Sequence, residues 1–210
     1  MTSSRLRPVG VMILALLRER DMHPYEMLRL TRDRHDERLI RIQQGTFYHQ
    51  ITALERDGLI AEVAVDRQGN RPERTTYTIT REGDASLIEW VRRELPCTER
   101  PAHFRVALAE SHNLDRGTVA ELLAGRTEQL RTVLGERRER LADAMERGVQ
   151  RQFLVEVERE MALMEVDITW TESLVAELAP AGSDSPGTPI LEWGIPSHSD
   201  RPNPSRKDGE

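Results

Sequence analysis

Between residues 43 and 52 this chain gathers Gln43, Gln44, Thr46, Tyr48, His49, Gln50 and Thr52, an unusual density of short hydrogen-bonding side chains. Glutamine can bond adenine in bidentate fashion, and threonine can meet a base edge or a thymine methyl. Gln43 and Gln44 stand where backbone amides and short polar groups commonly meet phosphate, and Tyr48 can place its hydroxyl on one. A second group lies further on, where Arg67, Arg71 and Arg74 fall within eight residues, partly cancelled by Asp66 and Glu73. Arginines on a ribbon can follow a nucleic-acid backbone or enter a narrow minor groove. These residue types support reading a duplex rather than breaking a bond.

Such side chains need a helix slim enough for the major groove and a ribbon beside it. Phe47, Ile51 and Leu54 recur at i, i+4 and i+7, which predicts a helix after Gln44-Gly45 that stops at Gly58. Burying that stripe leaves Thr46, His49, Gln50 and Thr52 on or near the outer face. Two helices are expected upstream. One starts at Pro8 with Val9, Met12, Ile13, Leu16 and Leu17 at helical spacing. The other opens at His23-Pro24, with Met27, Leu28 and Thr31 inward and Arg29, Arg32 and Arg34 outward. His23 is expected to cap the second. Residues 60–65 and 75–80 then switch to a period of two, and Gly69-Asn70 and Pro72 mark the turn between them. Three helices followed by a two-stranded wing give a winged helix-turn-helix within a mainly α chain.

Residues 81–95 read as a further helix, with Leu87, Val91 and Leu95 on one side, and Pro96 and Pro101 bracket a linker. Thr118–Arg147 carries a leaky stripe of Leu123, Leu130, Leu134, Leu141 and Met145. The next segment is cleaner. Leu154, Val157, Met161, Met164, Ile168, Thr171, Val175 and Leu178 step by threes and fours, a heptad seam with one polar position. Pairing of two chains along it is the expectation, on the reasoning that a thin hairpin does not bury such a seam alone; packing within one chain is the alternative. The domains are therefore expected at 1–95 (winged helix), 96–178 (coiled-coil-like dimerisation) and 179–210. That last stretch holds six of the eleven prolines and reads as a disordered tail with an apolar island of Ile190, Leu191, Trp193 and Ile195.

Charge and composition narrow the function. The net charge of -6 argues against non-specific nucleic-acid binding, yet residues 1–80 hold 13 Arg against 11 Asp+Glu, and residues 81–210 hold 17 Lys+Arg against 25. Any polyanion contact belongs to the front half. A single cysteine, Cys97, fits a reducing compartment. The apolar run 9–17 is too short for a membrane span and lacks a cleavage site, so a cytoplasmic protein is expected. The six histidines are scattered and no phosphate loop, nucleophile elbow or HExxH occurs, so neither a metal, a cofactor nor an enzyme is expected. Trp90 and Trp170 are candidate walls for a small-molecule effector, with plain core filling as the alternative.

The stretches ILALL (13–17), MHPYEM (22–27), GTFYHQITALERDGLI (45–60) and YTITREG (77–83) stand in the order and spacing of the PadR family of bacterial transcriptional regulators, and the chain resembles its subgroup with a longer helical C-terminal domain. The resemblance implies a homodimer that sets two recognition helices into a roughly palindromic DNA operator, represses nearby genes and is often released by a small molecule. Gly45, Thr46 and Tyr48 match the family's G-T-x-Y, Leu54, Gly58 and Leu59 match its L-E-x-x-G-L, and Arg71 and Arg74 fall where its wing is basic. Pro24 replaces the usual glycine after the histidine, and His49 replaces the usual proline after the tyrosine. Thr76-Tyr77 stands where the family has two tyrosines. The competing reading is a winged-helix module that binds protein partners through its C-terminal helices and tail, without specific DNA binding.

Overall fold

The computed structural model describes residues 6–66, 74–179 and 193. Its elements run α1 (Pro8–Glu19), α2 (Pro24–Asp33), α3 (Gln44–Arg56), β1 (Ile60–Asp66), β2 (Arg74–Ile79), α4 (Arg81–Glu94), α5 (Pro101–Ala109), α6 (Arg116–Glu146) and α7 (Val155–Leu178). Every residue of α1 from Val9 to Leu17 is buried, so this helix forms the axis of the front half rather than a one-sided cover. Around it close Met27 and Leu28 of α2, Phe47, Ile51 and Leu54 of α3, and Leu87, Trp90 and Val91 of α4.

The wing is an antiparallel ribbon registered from Ile60 opposite Ile79 to Asp66 opposite Arg74, with an irregularity between Glu62 and Ala64. Met22 adds a bridge on its far side, exchanging backbone hydrogen bonds of 3.1 and 3.0 Å with Tyr77. The α3–wing corner is locked by local chemistry. Gly58 takes φ +72°, Gly58 N–H donates to Glu55 and Leu59 N–H to Leu54, a Schellman ending. Thr80 donates its hydroxyl to Gly58 O at 2.8 Å and accepts Gly83 N–H at 3.0 Å, capping α4. Gly83 has no room for a Cβ, which would fall well inside contact distance of the Leu59 carbonyl.

The back half departs from expectation at its seam. Leu154, Met161, Ile168, Thr171 and Leu178 are buried within the single chain, and Val157 and Met164 pack against the cluster that Leu130 and Leu134 of α6 build with Met161 and Ile168. Val175 joins the front-half core. The seam expected to pair two copies thus closes on α6. Its partner is the stripe that looked leaky, and the hairpin's edges are tied by Arg131–Glu172, Arg137–Glu160, Arg138–Glu165 and Arg126–Asp167 ion pairs. Met145 remains exposed beyond the contact.

The buried core also runs on past residue 95. Phe104, Val106, Ala107, Val119, Leu123 and Leu178 belong to the same cluster as α1. Arg126 fastens this junction: its guanidinium lies 3.6 Å from the Phe104 ring centroid, donates to Cys97 O and pairs with Asp167 at 2.9 Å. The tail reading and the island residues Ile190, Leu191 and Ile195 lie outside the described residues. Trp193 packs against the front-half core, its indole N–H donating to Leu114 O at 3.1 Å.

Candidate nucleic-acid interface

Phe47, Ile51 and Leu54 hold α3 against α1 and so fix which side of it can meet a ligand. Gln43, Gln44, Gly45, Thr46, Tyr48, His49 and Thr52 are all exposed. Gln50 is not. It is buried, and its carbonyl oxygen faces Gly10 of α1, lying 3.3 Å from where a Cβ on that glycine would sit. Helical geometry explains the correction: residue 50 sits three after Phe47 and four before Leu54, on the buried stripe's own edge. Polarity alone had put it outside.

The start of α3 is built differently from the starts of α2 and α4. Gln43, its N-cap, makes no side-chain cap bond, and the first turn carries no acid. By contrast, His23 Nδ1 accepts Tyr25 N–H at 3.1 Å at the head of α2, as capping predicts. The first amides of α3 therefore have no intrahelical or capping acceptor and carry the positive end of the helix dipole. Thr52 has its hydroxyl proton committed to Tyr48 O at 3.3 Å, which leaves its lone pairs and methyl for a partner. Tyr48 stands edge-on to Phe47, ring centroids 6.4 Å apart, so its ring is braced while its rim stays exposed.

Cations around this helix sort by whether a carboxylate already holds them. Arg34 is clamped on Glu19 by bonds of 2.6 and 2.8 Å, and its pKa is raised by that bond. Arg56 is paired with Asp57. Arg32 and Arg41 are exposed and form no ion pair among the described residues; Arg41 lies two positions before the α3 N-cap. The sequence reading passed over Arg41 because it sits in a short irregular stretch with no periodic pattern. Arg67 and Arg71 lie outside the described residues. The backbone of Arg74 pairs with Asp66 at the start of β2. Tyr77 couples the wing to α3: its hydroxyl donates to Glu55 at 3.4 Å, and burial, with Glu55 and Glu62 nearby, raises its pKa.

The two tryptophans part company. Trp90 is buried in the core with its indole N–H satisfied by Leu6 O at 3.0 Å, so it offers no open stacking wall. Trp170 is half exposed on α7. Among the described residues no group of His, Cys, Asp and Glu could hold a metal ion, and no helix is long and apolar enough to cross a membrane.

No curated protein matches the chain in sequence. Among solved structures it is similar to Bacillus subtilis PadR in complex with operator DNA, at 18% identity over 82% of this chain and 100% of that one, TM-score 0.40. It is similar to the same protein in complex with p-coumaric acid, at 18% identity over 82% and 99%, TM-score 0.37. A PadR family transcription regulator from Clostridium difficile R20291 aligns at 26% identity over 41% of this chain and 85% of that one, TM-score 0.34. Residues 13–89, from α1 into α4, match the family described as Transcriptional regulator PadR-like family, and over that stretch the chain is similar to that family.

Proposed function

We propose that the chain is a homodimeric, sequence-specific DNA-binding repressor acting in the cytoplasm on genes near its own. The observation that carries this is the division of α3 into a buried apolar stripe and an exposed face of Gln43, Gln44, Thr46, Tyr48, His49 and Thr52 behind an uncapped N-terminus. Thr46, His49 and Thr52 approach base edges, and Gln43, Gln44, Tyr48 and the amide of Gly45 approach phosphate. Arg41 adds a phosphate contact just ahead of the helix, and Arg71 and Arg74 are assigned the same role on the resemblance of the wing alone. Gln50 is left out of this set.

The dimer interface moves to the other side of α7. With 100° per residue, Val155, Leu163, Val166 and Trp170 fall on one stripe roughly 160° from the seam that faces α6. All four are exposed in the single chain, Val166 at 67% and Leu163 at 53%. A second copy of α7 is the occupant that fits, because an apolar stripe along a helix is self-complementary about a two-fold axis. Such an axis sets two α3 helices into successive major grooves, about one helical turn apart. In this reading DNA contact lies up to residue 95 and pairing from 96 to 178, while the buried core runs across that boundary.

The test is salt-dependent binding of the full chain to the DNA upstream of its own gene, against a shuffled duplex. Preferential binding whose logarithm falls linearly with the logarithm of salt is expected. Tyr48→Ala and Arg41→Ala should each weaken it, with Arg41→Ala lowering the salt slope by about 1. Equal affinity for both duplexes at every salt concentration would refute the DNA reading and favour protein partners.

A further inference from the structure

A relay of side chains ties the turn that leads from α2 towards α3 to the far end of α5. Arg34, the C-cap of α2, grips Glu19, the last residue of α1, at 2.6 and 2.8 Å. Arg18, beside Glu19, donates to the backbone and side-chain oxygens of Asn113 at 3.1 and 3.0 Å and pairs with Asp84 of α4 at 2.7 Å. Asn113 in turn donates its side-chain amide to Glu110, the C-cap of α5, at 2.9 Å to the carbonyl and 3.2 Å to the carboxyl. Asp36, half-buried in the single 3-10 turn Asp36–Arg38, acts on the same corner.

The turn is a hinge by its backbone. Among the described residues His35 is the one non-glycine with positive φ, 57°, and such a conformation persists only where its surroundings hold it. Its two neighbours, Arg34 and Asp36, are the residues engaged here. The charges at the corner are unbalanced. Glu19, Asp36 and Glu110 converge from α1, the turn and α5, while Arg34 is committed to Glu19 and Arg18 to Asp84. Arg38 lies beside Asp36. His112 turns Nδ1 to Ala109 O at 3.0 Å and Nε2 towards Asn113 at 3.4 Å. Burial, then Asp36 and Glu19, push the Glu110 carboxyl up to about 8, against the Asn113 bond and Arg34. Burial also raises Asp36, against Arg34 and Arg38. Glu110 thus carries a proton near neutral pH, and as a carboxylate it adds a negative charge where the nearest arginines are already paired.

We infer that Glu110 is a proton-controlled catch: protonated, it lets the turn ahead of α3 sit against the end of α5, and as a carboxylate it repels Asp36 and Glu19 and frees that turn. In the freed form Glu110 faces water and binds its proton less tightly than in the engaged form. The engaged form therefore loses ground as pH rises from about 4.5 to about 8. The turn sets how α3 is presented, so operator affinity falls over the same rise. That consequence rests on the DNA reading; the catch itself does not.

Hydrogen exchange followed by mass spectrometry on the DNA-free full chain tests the catch. Wild type and Glu110→Gln are compared at matched pH, so the intrinsic pH dependence of exchange cancels. Glutamine is neutral and keeps an acceptor for Asn113, so it stands for the protonated form. At pH 6 the two should protect residues 34–42 and 104–114 alike, and at pH 8.5 wild type should exchange there at least about threefold faster. Asp36→Asn, which removes a facing charge, is the second variant and should slow exchange at pH 8.5 towards the Glu110→Gln rate. Wild type matching Glu110→Gln at pH 8.5, or Asp36→Asn exchanging as fast as wild type there, overturns the inference. In anisotropy titrations, wild-type affinity for the operator should fall at least about threefold from pH 6 to 8.5 relative to Glu110→Gln. A catch seen in exchange without that fall overturns the regulatory consequence. No preference for any duplex removes the DNA reading instead, and the exchange result still decides the catch.

Discussion

Trp170→Ala is expected to split the dimer without unfolding the chain. The indole is 48% exposed in the single chain and lies opposite the seam, so removing it takes little from the α6–α7 contact. In a two-fold pair its exposed half would be covered. At about 250 Å² for a whole tryptophan this is about 120 Å², or about 3 kcal/mol per copy at ~25 cal/mol/Å². Symmetry doubles the loss to about 6 kcal/mol, of which alanine keeps about a third. A net loss of about 4 kcal/mol raises the dimer Kd by roughly three orders of magnitude. Sedimentation equilibrium across a concentration series measures this directly, with the far-ultraviolet helix signal as the check on folding. Ile168→Ala is the counterpart: buried against α6, it should cost about 2–4 kcal/mol of stability as a cavity and leave the association constant of the folded chain nearly unchanged. If Trp170→Ala leaves the Kd within threefold while Ile168→Ala dissociates a fully folded chain, the seam pairs two copies after all and the stripe assignment is wrong.

Four further outcomes follow from particular contacts. Gly83→Ala should lower the melting temperature steeply and loosen the wing, because the new Cβ meets the Leu59 carbonyl, a backbone atom that cannot swing aside; a thermal midpoint within 2 °C or so of wild type would contradict the packing. Gln50→Met, which keeps an unbranched chain beneath α3, should leave operator affinity within about twofold, while Tyr48→Ala lowers it, as a fluorescence anisotropy titration can show. Burial, with Asp36 and Glu19 nearby, pushes the Glu110 carboxyl up to about 8, well above its usual 4.5. The folded chain then binds more protons than the unfolded chain between about 4.5 and 8, so stability falls as pH rises through that window. Glu110→Gln should remove that part of the slope in a melting series from pH 5 to 9, an identical slope in both proteins being the refuting result. Trp193→Ala should cost about 1–2 kcal/mol in urea unfolding, through a half-buried ring and its bond to Leu114 O.

Much of the fold was legible because each signal was local. Phe47, Ile51 and Leu54 repeat within two turns, Gly58 marks the stop, and Pro8 and His23-Pro24 mark the starts. Less legible was α1, where the apolar run is buried on all sides and a five-residue stripe understated it. Its environment is set by α2, α3, α4 and α5 together, and no window of sequence contains those. The Met22 bridge to Tyr77 escaped for the same reason, since a single paired residue has no period to read.

The candidate site and the seam show where periodicity stops being enough. A period identifies a face but does not say what covers it. On α3 the apolar residues were assigned correctly, yet Gln50 lay on the boundary, and an amide there can turn either way; the absence of a side chain on Gly10 of the facing helix decides it. On α7 the ambiguity is larger because the helix carries two apolar faces. The more regular one, from Leu154 to Leu178, suits a contact between two copies and a contact within one chain equally well by its pattern. Regularity, however, measures how continuous a contact is and not which chain provides it. The nearest continuous partner is α6, one short turn away in the same chain, and closing a short connection costs far less entropy than bringing in a second molecule. The irregular face, Val155, Leu163, Val166 and Trp170, is what remains after that intramolecular choice is made. In a helical hairpin the better seam goes to the sequence neighbour, and the interface with a second copy has to be sought in the residues left over.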